Sequence, residues 1–318
     1  MAARQHRPAG GSVGMPPPRL YCIENPRFLD ESLSNAFRRG TLMDAIRKHL
    51  DKVEVLPMSP TLLPKLLPKL SDVDTNFDEV VEIIAFDPAL TSKLLQICNS
   101  AYFGHKSEVN SVAEAVSRVG YQSVYLLVAM ISGSSCFPHP PPHGVDGARL
   151  WRHSITTAFN AKFVAESAGV DANLLFTAGL LHDLGKVILA QEQSPATAGF
   201  FRAPSDAASL AREKELFECT HAEVGAALLE RWKLPTQIVI GVRHHHEPKA
   251  APGFQRITAC ITLANLVTHS QEHPQITGRP DFKETLALLD LSADHLERWN
   301  ERLRDHQNLL TSMSHLPL

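Results

Sequence analysis

The sequence contains, at residues 178–186, the stretch Ala178-Gly179-Leu180-Leu181-His182-Asp183-Leu184-Gly185-Lys186. Imidazole nitrogen and carboxylate oxygen are suitable ligands for Zn, Mn, Fe or Co. We predict one helix from an Asp171 cap to about Ala190. Adjacent residues of a helix point about 100° apart, so His182 and Asp183 are expected to flank a site rather than face one point together. Lys186 lies one turn beyond His182, on the same face, where its ammonium could meet a phosphate oxygen.

Other candidate metal ligands are spread along the same half of the chain. Ligands that arrive from several helices form a site inside a bundle, and a carboxylate such as Asp183 can bridge two ions about 3.5–4 Å apart. Each residue alone has a simpler explanation, for example a position near a helix start or a solvated helix end. The hypothesis of a metal site therefore depends on the whole set of candidate ligands, whose further members are His153, His221, His245, His246 and Asn265.

Helix start and stop signals recur along the chain, whereas no alternating strand pattern of useful length occurs. One helix is expected over residues 151–168, and another is expected to carry the three histidines 244–246. The signals at predicted helix starts are Asp87-Pro88, the capping boxes that begin at Ser111 and Thr220, and Pro235, and Gly169 marks a predicted helix end. The sequence therefore predicts an all-α fold.

Proline and glycine suggest how the chain is divided. Residues 1–40 lack apolar periodicity and are expected to form a disordered tail. A helical domain is expected over 41–270, and residues 281–318 are expected to form a C-terminal helix. Within the domain, the Pro-rich stretch 136–147 is predicted to be a linker between an N-terminal helical subdomain (41–135) and a second one (148–270). His139 and His143 fall in this linker and are interpreted as solvated.

Composition narrows the class of protein. The 318 residues include 31 Lys and Arg against 34 Asp and Glu, so no general nucleic-acid binder is indicated. The five cysteines are scattered, and we interpret them as reduced core residues. The N-terminus lacks the apolar segment of a secretory signal, and the longest apolar run, Val124–Ile131, is too short to span a bilayer. A soluble, cytoplasmic protein is expected.

Several motifs together resemble one known family. The first half contains Phe86-Asp87-Pro88-Ala89-Leu90 and Asn99-Ser100-Ala101-Tyr102-Phe103-Gly104, and the second contains Leu150-Trp151-Arg152-His153, the His182-Asp183 element, His221-Ala222-Glu223 and His245-His246-Glu247-Pro248. From about Val53 to Val267 the chain resembles the HDOD domain, and the His-Asp element is similar to that of all HD-type phosphohydrolases. The resemblance implies an N-terminal helical subdomain packed on an HD-like one, and a role in bacterial signal transduction.

The resemblance also implies roles for individual residues. By position, His153, His182, His221, His245 and His246 look like HD-type metal ligands, with Asp183 as the bridging ligand. Lys186 looks like the lysine on the phosphate side, and Asp183 and Lys186 would be catalytic if the protein is an enzyme.

Two departures count against catalysis. The HD superfamily has a final Asp ligand where this chain has Asn265, and an amide is a weaker ligand for hard cations. No Gly-Tyr-Pro motif follows Glu247, so the HD-GYP type of cyclic-di-GMP phosphodiesterase activity is not indicated.

Three functional hypotheses remain at this point. The first is a non-catalytic regulatory module that binds signalling proteins, or a nucleotide or cyclic dinucleotide. The second is a metal-dependent phosphohydrolase or phosphodiesterase acting on such a nucleotide. The third is a helical scaffold whose histidines serve only packing and the surface. A divalent metal (Fe, Mn or Zn) is expected under the second and optional under the first, and neither a membrane nor a nucleic acid is expected as a partner.

Overall fold

The structure, a computed structural model, describes residues 40–51, 62–70, 77–100, 102–104, 108–134, 136–137, 146–191, 201 and 207–314. All of them belong to one compact unit that begins at Arg39. These residues form α-helices and two short 3₁₀ turns, and no strand occurs within the described ranges. The all-α prediction is confirmed. The predicted tail and most of the Pro-rich linker, with His139 and His143, lie outside the described residues.

The first part of the chain contains six helices. They are α1 (Gly40–Asp51), α2 (Leu63–Leu70), α3 (Phe77–Ala85), α4 (Pro88–Cys98), α5 (Val112–Val119) and α6 (Tyr121–Ser134). Helices α3 to α6 pack on one another, and α2 and α6 also contact α8 of the second part. α1 instead packs on α9 and α11, where His49 Nε2 lies 2.8 Å from the carbonyl oxygen of Phe217.

The second part contains the remaining helices. They are α7 (Gly147–Ala168), α8 (Ala172–Leu181), α9 (Leu184–Leu189), α10 (Ala207–Phe217), α11 (His221–Arg231), α12 (Thr236–Arg243), α13 (Gln255–Ser270), α14 (Pro280–Leu288), α15 (His295–Asp305) and α16 (Gln307–Ser314). α7 is the central helix, and it packs against α8, α13, α15 and α16. Its Trp151, Phe159 and Phe163 are fully buried.

Most of the predicted helix signals act as expected. Asp87 accepts from two backbone N–H groups at the start of α4, and Gly169 ends α7 in a left-handed conformation (φ 67°). Thr220 and Glu223 form a complete capping box. At Ser111 the box is incomplete, because the carboxylate of Glu114 accepts from the N–H of Asn110 rather than from the cap residue itself.

The expected single C-terminal helix is wrong, because the described residues 280–314 form three helices. α14 ends where Asp290 adopts a left-handed conformation (φ 59°), and the N–H of Leu291 then donates to the carbonyl oxygen of Leu286. This is a Schellman turn without its usual glycine. Because aspartate tolerates the left-handed region, amphipathicity alone could not locate this end.

One stretch has the length and hydropathy of a membrane span, Ala172–Leu189, and 89% of it is buried inside the protein. It comprises α8, α9 and the break between them, and core helices pass the same test. Four cysteines lie in the described ranges, Cys98, Cys136, Cys219 and Cys260, and all four are buried and free of disulfides, as predicted.

Candidate metal centre

Asp183 lies at the centre of the predicted ligands. On one side, its Oδ2 atom is 3.4 Å from His182 Nε2 and 3.6 Å from His153 Nε2, and these two nitrogens are 3.4 Å apart. Lys186 Nζ contacts the same oxygen at 2.7 Å. We call His153, His182 and Asp183 Oδ2 the cleft-side set.

The other carboxylate oxygen faces a second group of imidazoles. Oδ1 of Asp183 is 3.3 Å from His221 Nε2 and 3.9 Å from His245 Nε2. His246 Nε2 lies 3.1 Å from His221 Nε2. We call His221, His245, His246 and Asp183 Oδ1 the inner set. The structure thus brings together six of the seven predicted ligands, with three histidines on one side of the carboxylate and two on the other.

A break in the predicted helix creates this arrangement. α8 ends at Leu181 and α9 begins at Leu184, so His182 and Asp183 occupy the turn between them. The expectation that they would flank a site was therefore wrong, because it assumed continuous helical geometry across the pair. The expectation that a helix carries the histidines 244–246 was wrong as well: α12 ends at Arg243, and His245 and His246 lie in the turn that follows.

The remaining ring nitrogens hold the imidazoles in orientation. Nδ1 of His182 lies 2.7 Å from the carbonyl oxygen of Gly179, and Nδ1 of His245 lies 2.6 Å from that of Val242. When Nδ1–H donates to such an acceptor, the Nε2 lone pair is left to bind a cation. Both rings consequently present Nε2 to Asp183.

Glu213 orients the ring of His221 in the same way, but its acceptor is a carboxylate rather than a backbone carbonyl. Both its oxygens lie 2.8 Å from His221 Nδ1, and one accepts from the backbone N–H of His221 at 2.7 Å. Glu213 is completely buried on α10. We did not predict it, because it stands among charged residues, Arg212 to Glu215, that read as a solvated face, and only the packing of α10 reveals its partner.

Burial and neighbouring groups shift the pKa values of the candidate ligands. Burial lowers the pKa of His153, His245 and His246 well below the ordinary range, so these rings stay neutral. Burial alone would raise the pKa of Asp183, but its electrostatic interactions with His182 and Lys186 outweigh burial and hold that pKa well below its usual range. Deprotonated carboxylate and neutral imidazole are the forms that bind a metal.

The residues present fit divalent cations. Asp183 Oδ1 and His245 Nε2 are buried and have no hydrogen-bond partner within the described part of the chain, which is unusual unless an ion is held there. The nitrogen and oxygen atoms of the cleft-side set form a nearly equilateral triangle. Its sides are those expected of ligands about 2.1 Å from a common tetrahedral metal, which lie about 3.4 Å apart. The cluster can therefore bind a metal.

Comparison with known families identifies the domain. Residues 56–248, more than half of the chain, match the HDOD domain. This chain belongs to the HDOD family.

Solved structures of HDOD-like proteins share the fold. An HDOD domain protein of unknown function from Geobacter sulfurreducens has a TM-score of 0.69 at 23% identity, over 88% of this chain and 99% of that one. A Marinobacter aquaeolei VT8 protein, provisionally named a signal transduction protein, has a TM-score of 0.70 at 21% identity, over 88% of this chain and 66% of that one.

Curated relatives match only in part. An uncharacterized protein of Treponema pallidum is 26% identical over 221 residues, which is 68% of this chain and 42% of the relative. Ribonuclease Y of Thermus thermophilus is 34% identical over 105 residues, which is 33% of this chain and 14% of that protein. The HDOD chain thus spans less than half the length of these relatives.

Asn265, the seventh predicted ligand, is not joined to either set by the contacts that define them. It is buried on α13, and its carboxamide oxygen has no hydrogen-bond partner among the residues described. One turn later on the same helix, His269 stacks on His153 with ring centroids 4.5 Å apart. Burial lowers the pKa of His269 to about 4. His269 was missed in the sequence because it belongs to none of the quoted motifs.

A cleft of about 440 Å³ leads to one side of the candidate metal centre of this HDOD chain. His153, Asp183 and Lys186 line it, whereas His182, His221 and His245 are at most 1% exposed. The other charged and polar residues that line the cleft are Asp146, Arg149, Arg152, Thr156, Thr268, His269, Gln271 and Glu272. Ligands in solution can therefore reach the cleft-side set directly.

Proposed function

We propose that this HDOD chain is a regulatory module that holds divalent metal at Asp183 and binds a phosphate-bearing ligand, a nucleotide or cyclic dinucleotide, in the adjoining cleft. The observation that carries the proposal is the convergence of the two ligand sets on one carboxylate at the floor of an open cleft. Relay of the signal would then occur through contacts with other signalling proteins.

Basic side chains that line the cleft favour the binding of an anion there. Lys186 is 5% exposed and directs its ammonium toward the floor of the cleft, where it pairs with Asp183. Arg152 is an exposed residue of the cleft wall for which no carboxylate partner occurs among the described residues. Arg149 pairs with Glu272 at 2.8 Å across the rim. A phosphate group meets both ammonium and guanidinium donors there.

The metal would be held by the histidines of the two sets and by both oxygens of Asp183. When bound, it would supply positive charge that attracts and polarises phosphoryl oxygens. His153 would remain neutral and oriented by its stacking on His269, while Lys186 would exchange its bond to Asp183 for one to the ligand.

The test is metal analysis followed by ligand binding. Protein purified without a His tag and without chelators should contain Fe, Mn or Zn in a ratio of at least one ion per chain, and His182→Ala should reduce that ratio. Calorimetric titration with cyclic-di-GMP and with simple nucleotides should detect binding without product formation. Metal-free protein that binds none of these ligands contradicts the proposal.

A second candidate is a metal-dependent phosphohydrolase or phosphodiesterase. The specific observation in its favour is that each oxygen of Asp183 faces a separate histidine set, the arrangement used by two-metal sites. Ribonuclease Y, named among the relatives, is also a phosphodiester-cleaving enzyme by its name. Assays with Mn²⁺ or Fe²⁺ against cyclic-di-GMP, phosphomonoesters and a short RNA separate the candidates. Turnover that disappears in Asp183→Asn supports the enzyme and overturns the non-catalytic module.

A further inference from the structure

The two ligand sets around Asp183 are not equivalent. The inner set offers three imidazoles and one carboxylate oxygen, which is enough to complete a tetrahedral site. The cleft-side set offers two imidazoles and one carboxylate oxygen, so it leaves a coordination position for water or a ligand. His221 and His245 of the inner set are buried and His246 is half-buried, and none of the three lines the cleft, whereas His153 and Asp183 of the cleft-side set do.

The groups behind the ligands add to this difference. His221 of the inner set is backed by the carboxylate of Glu213, both oxygens of which lie 2.8 Å from its Nδ1. His182 of the cleft-side set is backed by a neutral carbonyl, that of Gly179. A carboxylate behind a histidine raises the basicity of the ligating nitrogen, and its loss typically weakens metal binding about 10–100-fold.

A competing cation stands on the cleft side. Lys186 Nζ lies 2.7 Å from Asp183 Oδ2, the oxygen that the cleft-side set requires. A metal there must displace the ammonium or tolerate it nearby, and two like charges about 4 Å apart repel each other strongly where little water screens them. Oδ1, on the inner side, has no such competitor and no hydrogen-bond partner among the described residues.

We infer that the metal centre fills in a fixed order: the inner set binds the first ion tightly, with Glu213 as its positioning residue, and the cleft-side set binds a second, exchangeable ion against competition from Lys186. This inference rests on the proposed metal binding. The tightly held ion would lie in the inner set, and the ion that exchanges with solution would lie in the cleft-side set, next to the cleft.

The test is a titration of the chelator-stripped, full-length protein with Co²⁺, followed by calorimetry and by visible absorption, which reports the coordination number. We expect two steps, the first with a Kd at least tenfold lower. His246→Ala should weaken the first step, whereas His153→Ala should leave the first step and remove the second. Circular dichroism of each metal-free variant checks that it is folded.

Two conservative variants test the supporting residues. Glu213→Gln should weaken the first step about 10–100-fold and leave the second in place. Glu215→Gln is the matched control, because Glu215 is an exposed residue of the same helix that pairs with Arg212, and it should change neither step. Lys186→Met should tighten the second step about tenfold or more, and Lys249→Met, an exposed lysine paired with Glu284, should not.

The outcomes separate this inference from the proposed function. Loss of the tight step in His153→Ala but not in His246→Ala, or two steps of equal affinity in the unmodified protein, overturns the filling order while metal binding stands. A Glu213→Gln protein that titrates like Glu215→Gln overturns the role of Glu213. A protein that binds no Co²⁺ at all overturns both the order and the metal centre itself.

Discussion

Gly185 of α9 lies directly against the backbone carbonyl group of His221, at the start of α11. A β-carbon at Gly185 would overlap the carbonyl oxygen of His221 and would come within 2.7 Å of its carbonyl carbon and 2.9 Å of the amide nitrogen of Gly225. Backbone atoms cannot move aside as a flexible side chain can. This contact sets the distance between Asp183, two residues earlier, and the His221 ring.

We predict that Gly185→Ala destabilises the protein by about 3 kcal/mol, the upper part of the range for overpacking, because α9 and α11 must separate. The measurement is the free energy of unfolding in urea. Gly278→Ala is the control, since a β-carbon at that exposed position meets nothing within 4 Å. Equal stability of the two variants would show that the α9–α11 contact does not constrain the fold.

Asp183→Asn should lose metal from both sets at once, because the two sets share only this side chain. In the metal-free protein the same change removes the partner of a buried Lys186 ammonium, which typically costs about 3 kcal/mol or more. Metal analysis and urea unfolding measure the two effects. Asp290→Asn, at an exposed position, serves as the control. Full metal content in Asp183→Asn would contradict the shared-ligand arrangement.

Removal of metal should lower the stability of the unmodified protein. An ion that binds the folded chain at 100 times its Kd, and does not bind the unfolded chain, stabilises by about 2.7 kcal/mol. Thermal unfolding with Mn²⁺ and after EDTA treatment measures this difference. It should disappear in Asp183→Asn. A thermal midpoint that does not respond to EDTA in the metal-loaded protein would count against the centre.

The metal-free protein should lose stability as the pH falls from about 7 to about 5. Burial lowers the pKa of His153, His245, His246 and His269 in the folded state, so below about pH 6.5 the unfolded chain binds more protons than the folded one. The free energy of unfolding therefore decreases as the pH is lowered, by at most about 1.4 kcal/mol per histidine for each pH unit.

One histidine of the centre acts in the opposite direction. The pKa of His221 is raised, because the charge of Glu213 outweighs the effect of burial, and its contribution to stability grows as the pH falls. The effect of His221 offsets the effect of one of these four histidines whose pKa is lowered, so acidification still causes a net loss of stability. Urea unfolding in EDTA at both pH values tests this, and His269→Gln should show a smaller loss than the unmodified protein. Stability that rises on acidification would contradict the assigned directions.

Local signals predicted the helices well because each depends on residues a few positions apart. The caps at Asp87 and Thr220 and the end at Gly169 satisfy backbone groups of their own helices, so the sequence contains all of their partners. Prediction was wrong where an end had no glycine, as at Asp290, or where tertiary contacts interrupted a continuous apolar pattern, as between Leu181 and Leu184.

The sequence by itself determined the all-α class and the family resemblance, since these follow from residue types and local motifs, and the resemblance pointed to the histidines and the carboxylate that the structure brings together. Only the tertiary structure decided that His182 and Asp183 face the same point, that the ligands divide into two sets, and that Glu213 supports one of them. Those relationships join residues on different helices, and their distances depend on how closely α9, α10 and α11 pack, which no local pattern specifies.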